Sequence, residues 1–111
     1  SRNIRVTRIV DTFLEHARIW YFGNGGNPKL FLGSPDWMRR NLYRRIEAVT
    51  PILDPDAKQE LIDMLSIQLS DKRKACFVDE NLHNCWKSAH PLKEKVRSQY
   101  TFYEYLKEKI E

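Results

Sequence analysis

Six residues, Gly23-Asn24-Gly25-Gly26-Asn27-Pro28, separate two short runs of strand-forming residues, Ile19 to Phe22 and Lys29 to Ser34. Glycine and asparagine tolerate left-handed backbone, and proline stops a ladder, so this block is a turn. Aromatic and β-branched residues on both sides make the pair a β-hairpin. Any fold for this chain must therefore be built around an antiparallel pair near its N-terminal third.

The rest of the chain is read outward from that hairpin. Upstream, Ile9, Val10, Phe13, Leu14 and Ala17 fall on one face at the helical period, which predicts a helix over 7–15 with Thr7 as its N-cap. His16 would then sit where that helix gives way to the first strand. Downstream, Arg45 to Leu53 reads as a third strand. Asp54-Pro55 predicts a helix start, with Asp as N-cap and Pro at the first helical position. Ala57, Leu61, Leu65 and Leu69 then repeat at i+4 and predict a stripe buried against the hairpin and the 45–53 strand. Lys74 to Val78 reads as a further strand, and 79–95 as a long polar connection. A last helix is predicted from Ser98 or Thr101 to Lys109, with Thr101-x-x-Glu104 as a capping box and Phe102, Tyr103, Leu106 and Ile110 as its buried face. The order implies an α/β (α+β mixed) fold, a mixed sheet with packed helices, with 1–111 as a single piece of one domain.

Composition narrows the class without naming a function. The 111 residues carry Lys+Arg 19 against Asp+Glu 15, a formal net charge of +4, which suits an anionic partner or a solvated basic surface equally well. No stretch approaches the ~20 apolar residues of a membrane-spanning helix. Cys76 and Cys85 do not make a disulfide framework, and without a secretory signal they are expected to be reduced thiols in the cytoplasm. The chain opens at Ser1-Arg2-Asn3 without methionine, as a trimmed segment would.

Of three histidines, His83 and His90 fall in the polar connection and are expected at the surface. His16 is distinguished by its downstream neighbours: Arg18, the hairpin, Gly33-Ser34-Pro35-Asp36-Trp37, Asn41, and Arg45-x-Glu47. Each has an ordinary explanation alone: a helix-end histidine, a turn, a solvated basic face. Together they suit phosphoryl transfer. Arginine grips phosphate oxygens with a planar fork, backbone N–H groups of a Gly-Ser turn can face an anion, and a nearby histidine can act as nucleophile or proton donor.

Phe13-Leu14-Glu15-His16-Ala17-Arg18-Ile19 resembles the F-L-E-H-x-R-[IV] motif of polyphosphate kinases. Asn24-Gly25-Gly26 is similar to that family's N-G-G hairpin, and Ser34-Pro35-Asp36-Trp37-Met38-x-Arg40-Asn41-Leu42 to its S-[AP]-D-W-M-x-R-N-L stretch. Arg44-Arg45-Ile46-Glu47 followed by Pro51-Ile52 resembles its R-R-[IV]-E…P-[IL]. Arg97-Ser98-Gln99 and Tyr103-x-Tyr105-Leu106 are similar to its C-terminal end. The firm motifs cover 13–53. The resemblance implies a phospholipase D-like domain, the second of two, in an enzyme that reversibly transfers the terminal phosphate of ATP to polyphosphate through a phosphohistidine outside this chain. It implies that His16 is catalytic and binds phosphate, and that Arg45 binds ATP phosphate. It further implies Mg²⁺ accompanying ATP, ADP and polyphosphate as the other ligands, the rest of the kinase chain as partner, a homo-oligomer, and a cytoplasmic or peripheral inner-membrane location. No protein-held metal and no nucleic acid are expected.

Three rivals remain. His16-x-Arg18 and Asp36 depart from the H-x-K and G-S-x-N of phospholipase D-like phosphodiesterases, which disfavours a diester-cleaving half. Trp20, Tyr21, Trp37 and Tyr43 beside Arg39, Arg40, Arg44 and Arg45 would serve a nucleic-acid-binding module. Cys76, His83, Cys85 and His90 hold zinc-ligand residue types but lack a closely spaced ligand pair.

Overall fold

A computed structural model of the chain describes residues 1–87 and 96–111. The elements run β1 (Thr7–Ile9), β2 (Ile19–Phe22), a 3-10 turn (Asn24–Gly26), β3 (Lys29–Gly33), α1 (Arg39–Arg44), β4 (Val49–Pro51), α2 (Pro55–Ser70), β5 (Ala75–Val78), β6 (Asn84–Trp86) and α3 (Ser98–Ile110). The α/β mixed class holds. The strands are divided between two three-stranded antiparallel sheets, β1-β5-β6 and β2-β3-β4, rather than sharing one. They belong to two compact units, one of residues 1–14 and 62–111, the other of 15–61.

In the 15–61 unit the expected hairpin is present, with Trp20 opposite Phe31 and Tyr21 opposite Leu30. Asn24, Gly25 and Gly26 all take positive φ in the turn, the conformation those residue types allow at least cost. Asn24 Nδ2 closes it by donating to the Asn27 carbonyl at 3.0 Å. Phe22 meets Phe31 edge-on at 5.9 Å on one face, while Leu30 on the other is fully buried. Gly33 leaves room for Trp20: a Cβ there would lie 2.6 Å from the indole ring.

The third strand is shorter than the 45–53 run suggests. Residues Arg39–Arg44 form helix α1, Arg45 ends it in an extended conformation, and only Val49–Pro51 joins β3. α1 shows no apolar repeat in the sequence, so nothing in its pattern announces it. Asp54 caps α2 as expected, accepting the Ala57 N–H at 2.8 Å. The i+4 stripe along α2 is only partly covered. Leu61 and Leu65 are half-buried, while Ala57 and Leu69 are exposed.

In the other unit, the predicted helix over 7–15 is absent. Thr7–Ile9 pairs with Ala75–Phe77 as the edge of a sheet, and 10–18 has no regular structure. The β-branched residues Ile4, Val6, Thr7, Ile9 and Val10 favour a strand, and sheet pairing overrides the coincident helical spacing. The polar connection also contains a strand. Asp79 accepts the N–H groups of Asn81 and His83, Leu82 takes positive φ, and the chain reverses so that Asn84–Trp86 returns along β5. Cys76 lies opposite Trp86, and Cys85 opposite Phe77. The two thiols therefore project from opposite faces of the sheet, which separates the ligands that a zinc reading needs together. His83 is exposed beside Asp79, and His90 lies outside the described residues.

α3 begins at Ser98, so Thr101 lies inside it and caps nothing. Its covered residues include Ser98, Phe102, Tyr105 and Leu106, while Tyr103 and Ile110 face solvent. Tyr105 donates to Asp63 of α2 at 2.6 Å. At its start, Arg97 donates to Asp11 through Nε at 2.8 Å and Nη2 at 2.5 Å. Gln99 exchanges hydrogen bonds with both backbone groups of Phe13.

Candidate phosphate-transfer site

His16 lies in the irregular segment that leads into β2, and its side chain is open to solvent. The segment ends at Arg18, whose carbonyl accepts the Gly33 N–H at 3.2 Å and so extends the β2–β3 ladder by one rung. Arg18 is half-buried. Its Nε donates to Asp36 Oδ1 at 2.6 Å, and its Nη1 donates to the His16 carbonyl at 3.3 Å. The hydrogen bond from Arg18 holds the Asp36 carboxyl below its ordinary range against the opposing effect of burial, with smaller contributions from His16 and Arg40.

Asp36 is carried on a turn that is itself fixed. The Ser34 N–H donates to the Ala48 carbonyl at 2.9 Å, and the Ala48 N–H donates back to Ser34 Oγ at 3.1 Å. Ser34 Oγ donates to Glu47 Oε2 through a short hydrogen bond, and Asn41 Nδ2 donates to Glu47 Oε1 at 2.9 Å. Pro35 is buried. The Ser34 hydrogen bond, and after it that of Asn41 and the charges of Arg45 and Arg18, keep the Glu47 carboxyl low despite burial. The Gly33 and Ser34 N–H groups are thus committed to strand partners. They do not form the anion-facing turn that their composition suggests.

The two residues expected to handle phosphate meet different carboxylates. His16 lies in the field of Asp36, Arg45 in that of Glu47, and Arg18 acts on both. Arg45 is exposed at the end of α1, and Arg39, Arg40 and Arg44 are exposed with it. Four guanidinium groups in seven residues give this end of the unit a strong positive field. Of the aromatics beside them, Trp20 packs over Gly33, while Trp37 and Tyr43 are 82% and 80% exposed. Ala17, Arg18, Trp20, Asp36 and Trp37 line a surface cleft of about 250 Å³. That is less than the volume of a typical small-molecule pocket, too little to enclose a nucleotide alone.

Sequence reasoning gives two of these residues no role. Asp36 and Glu47 enter there only as members of motifs, with no partner assigned to either. Both acids flank the arginine-rich 39–45 stretch, yet Asp36 bonds Arg18, and Glu47 bonds Ser34 and Asn41, so proximity in sequence does not find their partners.

The model of the family described as "Polyphosphate kinase C-terminal domain 2" matches residues 1–99. The chain belongs to the polyphosphate kinase family. A polyphosphate kinase of Escherichia coli strain K12 is 46% identical over 107 residues, 96% of this chain and 15% of that protein. One from Vibrio vulnificus strain YJ016 is 44% identical over the same share. The crystal structure of a polyphosphate kinase from Porphyromonas gingivalis superposes with a TM-score of 0.89 at 56% identity, covering 97% of this chain and 16% of that one. The chain spans about one-sixth of the length of the polyphosphate kinases it matches.

Proposed function

We propose that this chain is part of an ATP:polyphosphate phosphotransferase, within the second of two phospholipase D-like halves, and that His16 and Arg45 act on the transferring phosphate. The observation that carries the reading is the exposed His16 beside a fixed Arg18–Asp36 pair, at the position of the family's F-L-E-H-x-R motif. The γ-phosphoryl group passes from ATP to a histidine nitrogen in another part of the longer protein, releasing ADP, and then to the terminal oxygen of polyphosphate. The same steps reversed make ATP. Arg45 supplies fixed positive charge, because guanidinium stays protonated at neutral pH. His16 supplies charge or a proton to the oxygen that leaves.

Asp36 and Glu47, the carboxylates beside these residues, are engaged by Arg18 and by Ser34 and Asn41. They do not fit a Mg²⁺ site of this chain's own. Mg²⁺ would be held by the nucleotide phosphates rather than by these carboxylates, and would supply neutralising charge there. No helix among the described residues is long and apolar enough to cross a membrane. The reading includes a cytoplasmic enzyme, peripheral at the inner membrane surface, working as a homo-oligomer.

The test is polyphosphate synthesis by the full-length kinase. His16→Ala is expected to abolish it or nearly so with an unchanged circular dichroism spectrum, and the isolated 111-residue chain is expected to be inactive, since half a constellation loses the positioning that drives the reaction. Retention of most activity by His16→Ala would remove His16 from the chemistry.

A further inference from the structure

We infer that Arg18 and Asp36 are positioning residues for His16, and that Arg18 does not grip substrate phosphate. This rests on the proposed function, in which His16 acts on the phosphate. An arginine two residues after a motif histidine, in a phosphate-handling protein, is at first sight a phosphate ligand. Its geometry gives it other work. Nε, the donor that sets the plane of the guanidinium group, is aimed at Asp36 Oδ1 at 2.6 Å. Nη1 turns back to the His16 carbonyl at 3.3 Å. One planar group therefore ties the His16 backbone to a carboxylate on the β3–α1 turn.

That turn is anchored in its own right. Ser34 is held on both backbone and side chain by Ala48 and Glu47, and Glu47 is held again by Asn41, which is buried. Hydrogen bonds run from Asn41 through Glu47 to Ser34, the turn itself leads from Ser34 to Asp36, and hydrogen bonds continue through Arg18 to the His16 carbonyl. His16 itself lies in a segment without regular secondary structure, which has no ladder to fix it. A side-chain hydrogen bond is one recurrent means of holding such a backbone.

Two further observations favour positioning. The Arg18 and Asp36 side chains are 29% and 41% exposed, and ion pairs so open to water contribute little to stability. A stability role therefore does not account for the pair. The charge of Arg18 is also offset by Asp36 at hydrogen-bond distance, whereas Arg39, Arg40, Arg44 and Arg45 are exposed. Phosphate has better-placed cations to meet.

The test uses the full-length kinase with Asp36→Asn, Asp36→Glu, Arg18→Lys, the Arg18→Lys/Asp36→Asn double variant, and His16→Ala as control. Steady-state kcat and KM for ATP are measured with the thermal midpoint of each. The inference expects Asp36→Asn and Arg18→Lys each to lower kcat by about 10-fold or more, with KM for ATP changed less than about 2-fold. It expects the double variant to be no slower than the slower single one, because both break the same link. Asp36→Glu, which keeps the charge, should recover part of the lost kcat. The opposite pattern overturns it: Asp36→Asn near normal in kcat while Arg18→Lys raises KM for ATP marks Arg18 as a phosphate ligand. A loss of kcat matched by a fall in thermal midpoint, with no recovery in Asp36→Glu, makes the pair structural and also overturns it. An inactive His16→Ala beside a normal Asp36→Asn sinks this inference alone, and an active His16→Ala sinks the functional reading together with it.

Discussion

The carboxylate of Asp71 accepts the backbone N–H of Ser98 at 2.7 Å from a position with no solvent exposure, so α3 starts on a side chain 27 residues earlier in sequence. The other oxygen accepts the N–H groups of Arg73, Lys74 and Ala75 at 2.8, 2.7 and 3.1 Å, folding the chain from the end of α2 into β5. Burial pushes this carboxyl up, yet the Ser98, Lys74 and Arg73 N–H groups together outweigh burial and leave it below the ordinary value. Asp71→Ala strands four donors, and is expected to cost about 3–5 kcal/mol in urea unfolding. Asp71→Asn keeps acceptor oxygen and should cost markedly less. Equal losses for the two would mean that the packed volume matters and the acceptor does not.

Acid should release a second anchor. The Arg97 hydrogen bond, against a smaller burial effect and with help from Thr12, holds the Asp11 carboxyl at about 2 from an ordinary 3.8. Because the folded value is the lower one, the unfolded chain binds more protons between them, and stability rises with pH there. The Asp11 contribution is therefore complete above about pH 5 and is lost as pH falls through about 4 to 2. Stability of the wild type and of Asp11→Asn, followed by denaturant titration from about pH 6 to about pH 2, should converge at the acid end. Parallel curves across that range would exclude Asp11 as the source of the slope.

Leu30 and Leu69 separate the true core from an apolar repeat. Leu30 is 1% exposed on β3, and Leu69 is 69% exposed near the end of α2. Leu30→Ala should cost about 2–5 kcal/mol, the range for buried large-to-small changes. Leu69→Ala should stay within about 0.5 kcal/mol of wild type. Thermal unfolding of the two variants decides it, and a large loss at Leu69 would restore the buried stripe expected from its spacing.

Arg45 and Arg40 provide the functional contrast. Both are exposed, so neither substitution should unfold the chain. In the full-length kinase, Arg45→Lys is expected to impair polyphosphate synthesis severely, because an ammonium keeps the charge but loses the bidentate fork. Arg40→Lys should be far milder. Equal effects in initial-rate assays would mean that only the general positive field counts.

Where local chemistry decides the structure, the sequence is a good guide. The 23–28 turn forms a hairpin because Asn24, Gly25 and Gly26 accept positive φ, and Asp54-Pro55 starts α2 because each residue suits its cap position. Where pairing between distant segments decides it, the guide fails. Residues 9–17 carry a helical spacing, but the unpaired edge of β5 claims Thr7–Ile9, and Phe13 and Leu14 are left exposed. β6 is hidden because Asn84, Cys85 and Trp86 are all exposed and so carry no alternation. At the site, the sequence brings the motif residues into one group but does not say which of them bond to one another. That Ser34 serves Glu47 and that Arg18 serves Asp36 depends on a turn geometry no spacing encodes.

The pairing of β1 with β5 also sets an order in time. Arg8 meets Cys76, 68 residues downstream, while Ile19 finds Leu32 within the same hairpin. On a ribosome adding about 5–20 residues per second, β1 waits about 3–14 s for its partner to be made. During that interval the hairpin closes in microseconds, whereas the β-branched N-terminal strand remains an uncovered edge. The residues most exposed to misassembly while the protein is being made are therefore those around Ile4 to Val10.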